Sequence, residues 1–197
     1  LGVTVHEHTP VKTIYADYAE TKQGKLDFDA VLWAGGFCAS PLPAQSGFLT
    51  NEIGQMLVRD TLQSLDYDNV YGVGDVAQIV MQNGKALRMA CAVAMPMGTH
   101  VADNITRHIL QQTPEAFPFA YALVCISLGR HNALVQMVEA DETPKDLIFT
   151  GRFGAWIKEI ICRYTIFSIR MEKRIPGIYW YPKGVQAITQ AKPVVQA

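Results

Sequence analysis

The stretch that most constrains the fold is residues 70–77, an apolar run that contains Gly74 and Asp75 near its end. Its valines and this turn signal predict a strand. Glycine at a strand end lets a ligand approach the backbone closely, because it has no Cβ atom. The carboxylate of Asp75 would accept hydrogen bonds from ligand hydroxyls there. A Gly-Asp pair is also an ordinary strand-ending turn, so the stretch is interpreted together with its neighbours.

Three other segments accompany this stretch in a fixed order. Residues 29–37 predict a second strand that ends in glycines, and residues 54–58 predict a short hairpin arm. Residues 89–98 open a helix that we predict over about 92–111, since small and apolar residues recur there at helical spacing. The set as a whole is far more specific than any one of its members.

This ordered set resembles the second half of the flavoprotein reductases that have two dinucleotide-binding domains. The resemblance is to the type II NADH dehydrogenase-like branch of the pyridine nucleotide-disulfide oxidoreductase superfamily, and it covers residues 26–183. It implies an α/β fold, of the α+β kind within this chain. A partial FAD-binding Rossmann-like domain with an antiparallel meander is followed by a small domain made of a β-hairpin and a helix. It also implies an NAD(P)H oxidoreductase with FAD and NAD(P)H as cofactors.

The resemblance further implies which residues contact the flavin cofactor. In the family, the carboxylate of the Gly-Asp pair binds the ribityl hydroxyls of FAD, and the following helix points its N-terminus at the flavin ring. The cofactor-binding residues implied in this way are Ala34, Gly35, Gly74, Asp75, Cys91 and Ala92. No catalytic side chain is assigned, since the flavin itself performs the hydride chemistry.

The electron acceptor stays open between a quinone and another small molecule. Quinone-reducing members of the family usually carry the pattern A-Q-x-A-x-Q-Q-G over the start of this helix. In this chain the aligned glutamines are replaced by Ala92, Pro96 and Met97. The flavin contact is still expected after these replacements, whereas the family argument for a quinone is weakened.

Three domains are expected from the resemblance. Residues 1–28 would end an NAD(P)H-binding domain, residues 29–115 would form the C-terminal part of the FAD-binding domain, and residues 116–197 would form a C-terminal docking domain. A reductase of this class needs G-x-G-x-x-G turns at helix N-termini to hold pyrophosphate, and none follows a strand here. We therefore expect the C-terminal part of a longer reductase, lacking about 150–200 residues and inactive alone.

The first domain is predicted as an antiparallel meander. Its strands are expected at residues 1–7, 11–18 and 26–34, where apolar residues alternate with polar ones. Residues 21–25 are predicted as a turn whose glycine takes a positive φ. Farther along, the proline- and serine-rich residues 40–50 are predicted as a loop.

The C-terminal part of the chain has a different pattern. Residues 123–128 and 132–138 predict a hairpin, and residues 151–170 predict a long helix. Residues 184–197 are expected to be a loose tail. A broad apolar stripe repeats along the helix, and it consists of Phe153, Trp156, Ile157, Ile160, Ile161, Tyr164 and Phe167.

Two interpretations of this stripe are open. Residues 151–197 carry eight basic and two acidic residues, a net charge of +6, whereas residues 1–150 carry a net charge of −7. A basic helix with aromatic residues fits a membrane surface, and residues 151–183 would then lie on it. The alternative is that the stripe packs as core on the hairpin or on a second copy, as in a homodimer. The rival to an enzyme is accordingly a membrane- or dimer-docking module with an incomplete flavin site.

Composition excludes several other classes of protein. A net charge of −1 argues against a dedicated nucleic-acid binder. The four cysteines are widely separated and show no C-x-x-C spacing, so no metal site is predicted and free thiols in a reducing compartment are expected. No uncharged apolar run of membrane-spanning length is present. The expected location is therefore the cytoplasm, with peripheral attachment to the inner face of the cell membrane as the alternative.

Overall fold

The computed structural model of the protein describes residues 2–184. The chain divides into two compact units, Leu1–Phe37 and Cys38–Ala197. The predicted loose tail lies outside the described residues except for Gly184. The expected domain boundaries after residues 28 and 115 stay predictions.

The first unit is a small antiparallel meander. Its strands are β1 (Val11–Ile14), β2 (Tyr18–Thr21) and β3 (Gly24–Asp27), in the order β1-β2-β3. Gly24 is the glycine of the predicted turn, and its φ is positive as predicted, at +130°, which suits glycine. An antiparallel meander is present as predicted, but its three strands are not the three that were predicted.

The predicted strands of this unit were too long. Among the described residues, 2–7 and 28–37 form no strand, and the single strand predicted over 11–18 is broken where Tyr15 N–H bonds back to Tyr18 O. Leu32 is 92% exposed. The apolar residues of this predicted strand therefore have no surface within this unit on which they could be buried. A strand needs a paired neighbour as well as a pattern.

The second unit begins with short elements joined by turns. A one-turn helix, α1 (Leu42–Gln45), lies within the predicted loop of residues 40–50, and β4 (Met56–Leu57) pairs in parallel with β5 (Ala77–Gln78). The predicted hairpin arm at 54–58 contains β4. A long helix follows, α2 (Cys91–Ile109), within two residues of its predicted bounds.

The strand predicted over residues 70–77 is wrong in most of its length. Gly74–Val76 form a single 3₁₀ turn, and only Ala77 of the predicted stretch belongs to β5. Gly74, with a φ of +74°, bends the chain into the turn, and residues 70–73 before it make only an isolated antiparallel bridge between Tyr71 and Gln63. Before the bend, Gly72 is packed so closely that a Cβ there would lie 2.7 Å from Met56 Cε.

The unit ends with a three-stranded antiparallel sheet and a long helix. The strands are β6 (Leu123–Ser127), β7 (Ala133–Val138) and β8 (Pro144–Phe149), in the order β6-β7-β8, and α3 spans Gly151–Glu172. The predicted hairpin is β6-β7, and β8 was missed. Proline, lysine and aspartate open β8, and these residues are depleted in strands. Proline is tolerated at the start of an edge strand such as this one.

The core of the second unit lies between α2, the segment 117–121 and the short strands. Its fully buried side chains include Phe117, Leu62, Ile79 and Met97. A buried polar group ties α2 to this core, because Asn104 donates to Thr61 O at 3.0 Å and to Glu115 O at 2.9 Å. It also accepts the Glu115 N–H at 2.9 Å.

Helix α3 comes closest to the sheet at small residues; Ile157 and Ile161 are half-buried, and several other large side chains stay exposed. Gly154 and Ser168 are the buried residues of α3, and a Cβ on Gly154 would lie 2.7 Å from Ala133 O of β7. Residues seven apart recur on one side of a helix, and the exposed side chains here follow that spacing. We call this set the outward stripe; it consists of Phe153, Trp156, Ile160 and Phe167, which are 45–59% exposed.

Candidate functional site

The Gly74 turn lies against the first two turns of α2. A Cβ on Gly74 would lie 3.4 Å from Ala94 Cβ, and a Cβ on Gly98 would lie 3.9 Å from Val73 Cγ1. The structure therefore places Gly74 and Asp75 beside the start of the helix that carries Cys91 and Ala92. These are four of the six residues that the sequence singled out.

The backbone and the side chain of Asp75 have different environments. Its backbone carbonyl accepts a hydrogen bond from Gln55 Nε2 at 3.1 Å, and Gln55 is buried. Its side chain is exposed, and within residues 2–184 its carboxylate has no hydrogen-bond or ion-pair partner. The hydrogen bond to Gln55 therefore holds the backbone of the turn, while the Asp75 carboxylate is exposed and available to a ligand.

The N-terminus of α2 also presents unpaired donors. Its N-cap residue, Ala90, has no side-chain cap, and its carbonyl accepts the amides of Val93 and Ala94 at 2.9 Å. The amides of Cys91 and Ala92 have no hydrogen-bond partner in the described part of the chain, and both residues are exposed. Free amides at a helix N-terminus, with the partial positive charge of the helix dipole, suit a group that carries acceptors and negative charge.

An apolar cavity of about 290 Å³ adjoins the same helix start. Its walls come from the first turns of α2, residues 119–123, α3 and residues 179–182. We call it the aromatic cavity; its lining includes Cys91, Tyr121, Tyr164, Tyr179, Trp180 and Tyr181. A pocket that is mostly apolar with a few polar groups is the usual form of a small-molecule site.

Among the polar groups that line this cavity, the Tyr179 hydroxyl has the largest change in pKa. Burial raises the pKa of its hydroxyl to about 12, and the neighbouring Tyr164, Tyr181 and Cys91 add to the shift. The hydroxyl is therefore protonated at neutral pH and able to donate a hydrogen bond into the cavity.

The segment that carries Tyr179 is held by hydrogen bonds at both sides. The carboxylate of Glu172 accepts the amides of Gly177 at 2.6 Å and Tyr179 at 2.9 Å, and these bonds lower the pKa of Glu172. The Tyr164 hydroxyl accepts the Trp180 N–H at 3.0 Å. In the sequence, Tyr179 and Tyr181 belong only to residues 151–183, the segment expected to lie on a membrane surface. Their place in a cavity depends on contacts with α2 and α3 that no local pattern encodes.

Ala34 and Gly35 lie in the first unit, in a segment without regular structure. Both residues are exposed, and the indole of Trp33 folds over Gly35. Their assignment to the cofactor stays a prediction.

The donor set of the second unit fits FAD. An exposed carboxylate suits the ribityl hydroxyls, and the two free amides suit the acceptor-bearing edge of a flavin ring. For metals the result is different, because among residues 2–184 no cluster of three or more histidine, cysteine or acidic side chains is arranged to hold an ion. All four cysteines are free thiols.

The class of protein comes from comparison with known proteins, and the fold and the donor set of this site are compatible with it. Residues 1–98 match the family model described as pyridine nucleotide-disulphide oxidoreductase, and the chain belongs to that family. The resemblance drawn from the sequence is thereby confirmed, as is its type II NADH dehydrogenase-like character. FAD and NAD(P)H are the cofactors that this membership implies.

Two curated relatives show how much of such a protein the chain represents. It is 29% identical over 136 residues to the type II NADH:quinone oxidoreductase of Haemophilus influenzae, which covers 68% of this chain and 31% of that protein. It is 25% identical over 146 residues to the enzyme of the same name from Staphylococcus aureus, covering 74% of this chain and 34% of that protein. The chain thus spans about a third of the length of these relatives.

Solved structures confirm the predicted fold class. The sulfide:quinone oxidoreductase of Aquifex aeolicus superposes with a TM-score of 0.62 at 20% identity, over 96% of this chain and 48% of that one. A NAD-dependent persulfide reductase from A. fulgidus gives a TM-score of 0.55 at 22% identity, over 70% of this chain and 25% of that one. At these identities the likeness concerns the fold.

Proposed function

We propose that the protein carrying this chain takes hydride from NAD(P)H onto FAD and passes the electrons to a small acceptor. The observation that carries the proposal is the shared position of three features. The Asp75 carboxylate, the free amides of Cys91 and Ala92, and the aromatic cavity all meet at the start of α2. A cofactor site and an acceptor site that share one helix N-terminus are what a flavin reductase needs.

Asp75 and the α2 amides are the residues that would hold the cofactor. The carboxylate accepts ribityl hydroxyls, Gly74 lets them approach the turn, and the amides of Cys91 and Ala92 orient the ring. Ala34 and Gly35 are proposed as further cofactor contacts. When bound, FAD supplies the hydride chemistry, and the protein contributes position and electrostatics.

The acceptor proposed for the aromatic cavity is a flat, carbonyl-bearing ring such as a quinone head group. Its aromatic walls suit such a ring, and the protonated Tyr179 hydroxyl can donate a hydrogen bond to a carbonyl oxygen. Tyr179 would then supply a hydrogen-bond donor in a chain that lacks the glutamines of the family pattern at Ala92, Pro96 and Met97.

The test is a pair of measurements on the intact protein. Released flavin is identified by chromatography, and oxidation of NADH and NADPH is followed with a short-chain quinone. We expect stoichiometric FAD and quinone-dependent turnover. A protein that retains no FAD and oxidises neither nucleotide would refute the proposal. If it then still binds vesicles, the docking-module alternative is supported.

The proposed location is the inner face of the cell membrane, to which α3 would attach peripherally. The outward stripe is exposed on this chain, so it is not covered by the hairpin as core. Arg152 and Arg170 are 18 residues apart, which is five full turns, so they lie in one line beside the stripe. Aromatic residues flanked by a row of arginines suit an anionic lipid surface. Among residues 2–184, no helix is both long and apolar enough to cross a bilayer.

A second copy of the chain is the other partner that such a face would fit, and the proposed homodimer would use it. Analytical ultracentrifugation with and without vesicles separates the two. A dimer that persists when the outward stripe is bound to lipid would mean that the dimer uses another surface.

A further inference from the structure

We propose that Cys125 and Cys162 are a pair of oxidisable thiols, which hydrogen peroxide converts into a disulfide between β6 and α3, and that Lys158 promotes the first step. This inference does not rest on the proposed flavin site.

Cys125 lies on the face of the sheet that α3 covers. It is directly opposite Val135 in the β6-β7 register, and Val135 is fully buried. The helix comes closest at Gly154, where a Cβ would lie 2.7 Å from Ala133 O and 2.9 Å from Phe149 O. Residues two apart on a strand share a face, so Cys125 points to the same side as Ser127 and Leu123.

Two cavities show how α3 runs along β6. At one end, Lys158 lines the same groove as Ser127. At the other, Ile161 lines the aromatic cavity together with Leu123. Cys125 is midway between Ser127 and Leu123 on β6, and Cys162 follows Ile161 one turn after Lys158. The two cysteines therefore lie near each other beside the contact between strand and helix, and Cys162 is close enough to influence the pKa of Cys125.

Lys158 supplies the charge that a reactive thiol needs. Its Nζ lies 4.0 Å from Cys162 Sγ, and Cys162 is exposed to solvent. A neighbouring ammonium stabilises a thiolate, which is the form that reacts with peroxide. The nearest acidic residue on this part of the helix, Glu159, is already bonded to Arg163 Nε at 2.8 Å.

Cys125 suits the second, resolving role. It is half-buried, and burial raises the pKa of its thiol; the neighbouring Cys162 adds to this rise, whereas Lys158 partly opposes it. A protonated, sheltered thiol is slow to react with peroxide itself. It remains reduced until an oxidised sulfur is presented beside it.

The reaction balances with one peroxide for each pair. The Cys162 thiolate attacks one oxygen of hydrogen peroxide, the O–O bond breaks, and hydroxide leaves, so that Cys162 becomes a sulfenic acid. The Cys125 sulfur, losing its proton, then attacks the sulfenic sulfur and displaces the hydroxyl as water. The leaving hydroxide takes up a proton, so two thiols and one peroxide give one disulfide and two waters.

The remaining cysteines provide the controls. Cys38 is an exposed thiol outside this contact, and Cys91 lines the aromatic cavity. Cys162 is exposed and lies about 150° around α3 from the centre of the outward stripe, so its replacement by serine disturbs neither the core nor that stripe.

The experiment treats the intact folded protein with a small excess of hydrogen peroxide, blocks free thiols with iodoacetamide, and maps peptides without reduction. We expect one dominant cross-linked peptide joining Cys125 to Cys162, absent in Cys162→Ser and present in Cys38→Ser. Lys158→Gln should slow its formation severalfold, because the Cys162 thiolate then lacks a neighbouring ammonium. Lys158→Arg should restore most of the rate.

Three results would overturn the proposal. The first is oxidation of Cys162 to sulfinic acid without a link to Cys125. The second is a disulfide between chains, and the third is a cross-link that forms only in denaturant. An unchanged rate of disulfide formation in Lys158→Gln would refute the proposed role of Lys158, while the proposed disulfide between Cys125 and Cys162 would stand.

Discussion

The backbone carbonyl and the side-chain carboxylate of Asp75 have different hydrogen-bonding environments. Its carbonyl is bonded to buried Gln55, whereas its exposed carboxylate has no partner among residues 2–184. The side chain therefore contributes little to holding this turn. That combination allows the carboxylate to be replaced without unfolding the turn, so the residue is well suited to mutational tests.

Replacing Asp75 with alanine should weaken FAD binding about tenfold to a hundredfold. The ribityl hydroxyls would lose a charge-assisted hydrogen bond worth about 1.5–3 kcal/mol. The measurement is the Kd of FAD for the apoprotein by fluorescence quenching. Glu52→Ala, an exposed acidic residue of the same unit, is the matched control and should bind FAD normally. Equal affinity in the two variants would remove Asp75 from the cofactor site.

Replacing Tyr179 with phenylalanine should slow acceptor reduction and leave flavin reduction by NAD(P)H unchanged. One neutral hydrogen bond is worth about 0.5–1.5 kcal/mol, which corresponds to a two- to tenfold loss. Stopped-flow measurement of the two half-reactions separates them, with the exposed Tyr67→Phe as control. Because the pKa of Tyr179 is about 12, the contribution of its hydroxyl should persist from neutral pH to about pH 10 and be lost only as the pH rises toward 12.

At the scale of the element, α3 is divided lengthwise into two faces. Gly154 and Ser168 face the sheet, and the outward stripe is turned away from it. The sequence predicted the bounds of this helix almost to the residue, because its apolar period is long and regular. It did not predict which face is buried. Hydrophobicity favours burying the large side chains, whereas the close approach of backbone to backbone requires glycine.

The packed face of α3 should tolerate no added methyl group at Gly154. A Cβ there would meet Ala133 O and Phe149 O, and overpacking costs about 1–3 kcal/mol, against a gain in helix propensity of about 1 kcal/mol. We expect Gly154→Ala to lower the thermal midpoint. Gly98→Ala in α2, where the nearest atom is 3.9 Å away, should leave it unchanged or raise it. The opposite order would contradict the packing described for α3.

The arginine row of α3 should control attachment to anionic membranes. Each basic residue near such a surface contributes about 1 kcal/mol, so replacing Arg152 and Arg170 with glutamine should weaken binding about thirtyfold. Co-sedimentation with phosphatidylserine-containing vesicles measures this, and high salt should abolish the difference. Lys12→Gln with Lys22→Gln, which removes the same charge from the first unit, is the control. Similar losses in both double variants would mean that only net charge matters.

At the scale of the whole molecule, the elements predicted best were those whose structure is determined by nearby residues in the sequence. The helices α2 and α3 and the β6-β7 hairpin follow from periodicity and turn residues. The strand predicted at 70–77 failed because residues 70–73 pair only through one isolated bridge and Gly74 then bends the backbone. Strand β8 was missed because an edge strand accepts proline and charge. The aromatic cavity could not be predicted, since Tyr179 meets Cys91 only through the folding of the chain.

The stability of the second unit should depend on pH through His100. Its Nε2 lies 2.8 Å from Glu115 O and donates to that carbonyl, and its ring packs on Phe117. Burial lowers the pKa of His100 below its ordinary value near 6.5, although the bond to Glu115 and the charge of Asp103 partly oppose the shift.

The sign of this effect follows from proton binding. Below about pH 6.5 the unfolded chain binds a proton at His100 that the folded chain resists, so the free energy of unfolding should fall as the pH falls. It should level off once the pH is below the lowered pKa. Denaturant unfolding between pH 5 and 7.5 should show a shallower slope for His100→Gln than for the exposed His108→Gln. Equal slopes would mean that other groups cause the acid sensitivity.

The two-faced arrangement of α3 has a consequence for how such a chain can change over time. The side chains that seat the helix on the sheet and those that would meet lipid are different residues, so a substitution on one face need not disturb the other. Attachment can therefore be strengthened, weakened or redirected in small steps while the fold is inherited intact. For the experimenter, the same separation offers a route to a detergent-free, monodisperse variant by changing the outward stripe alone.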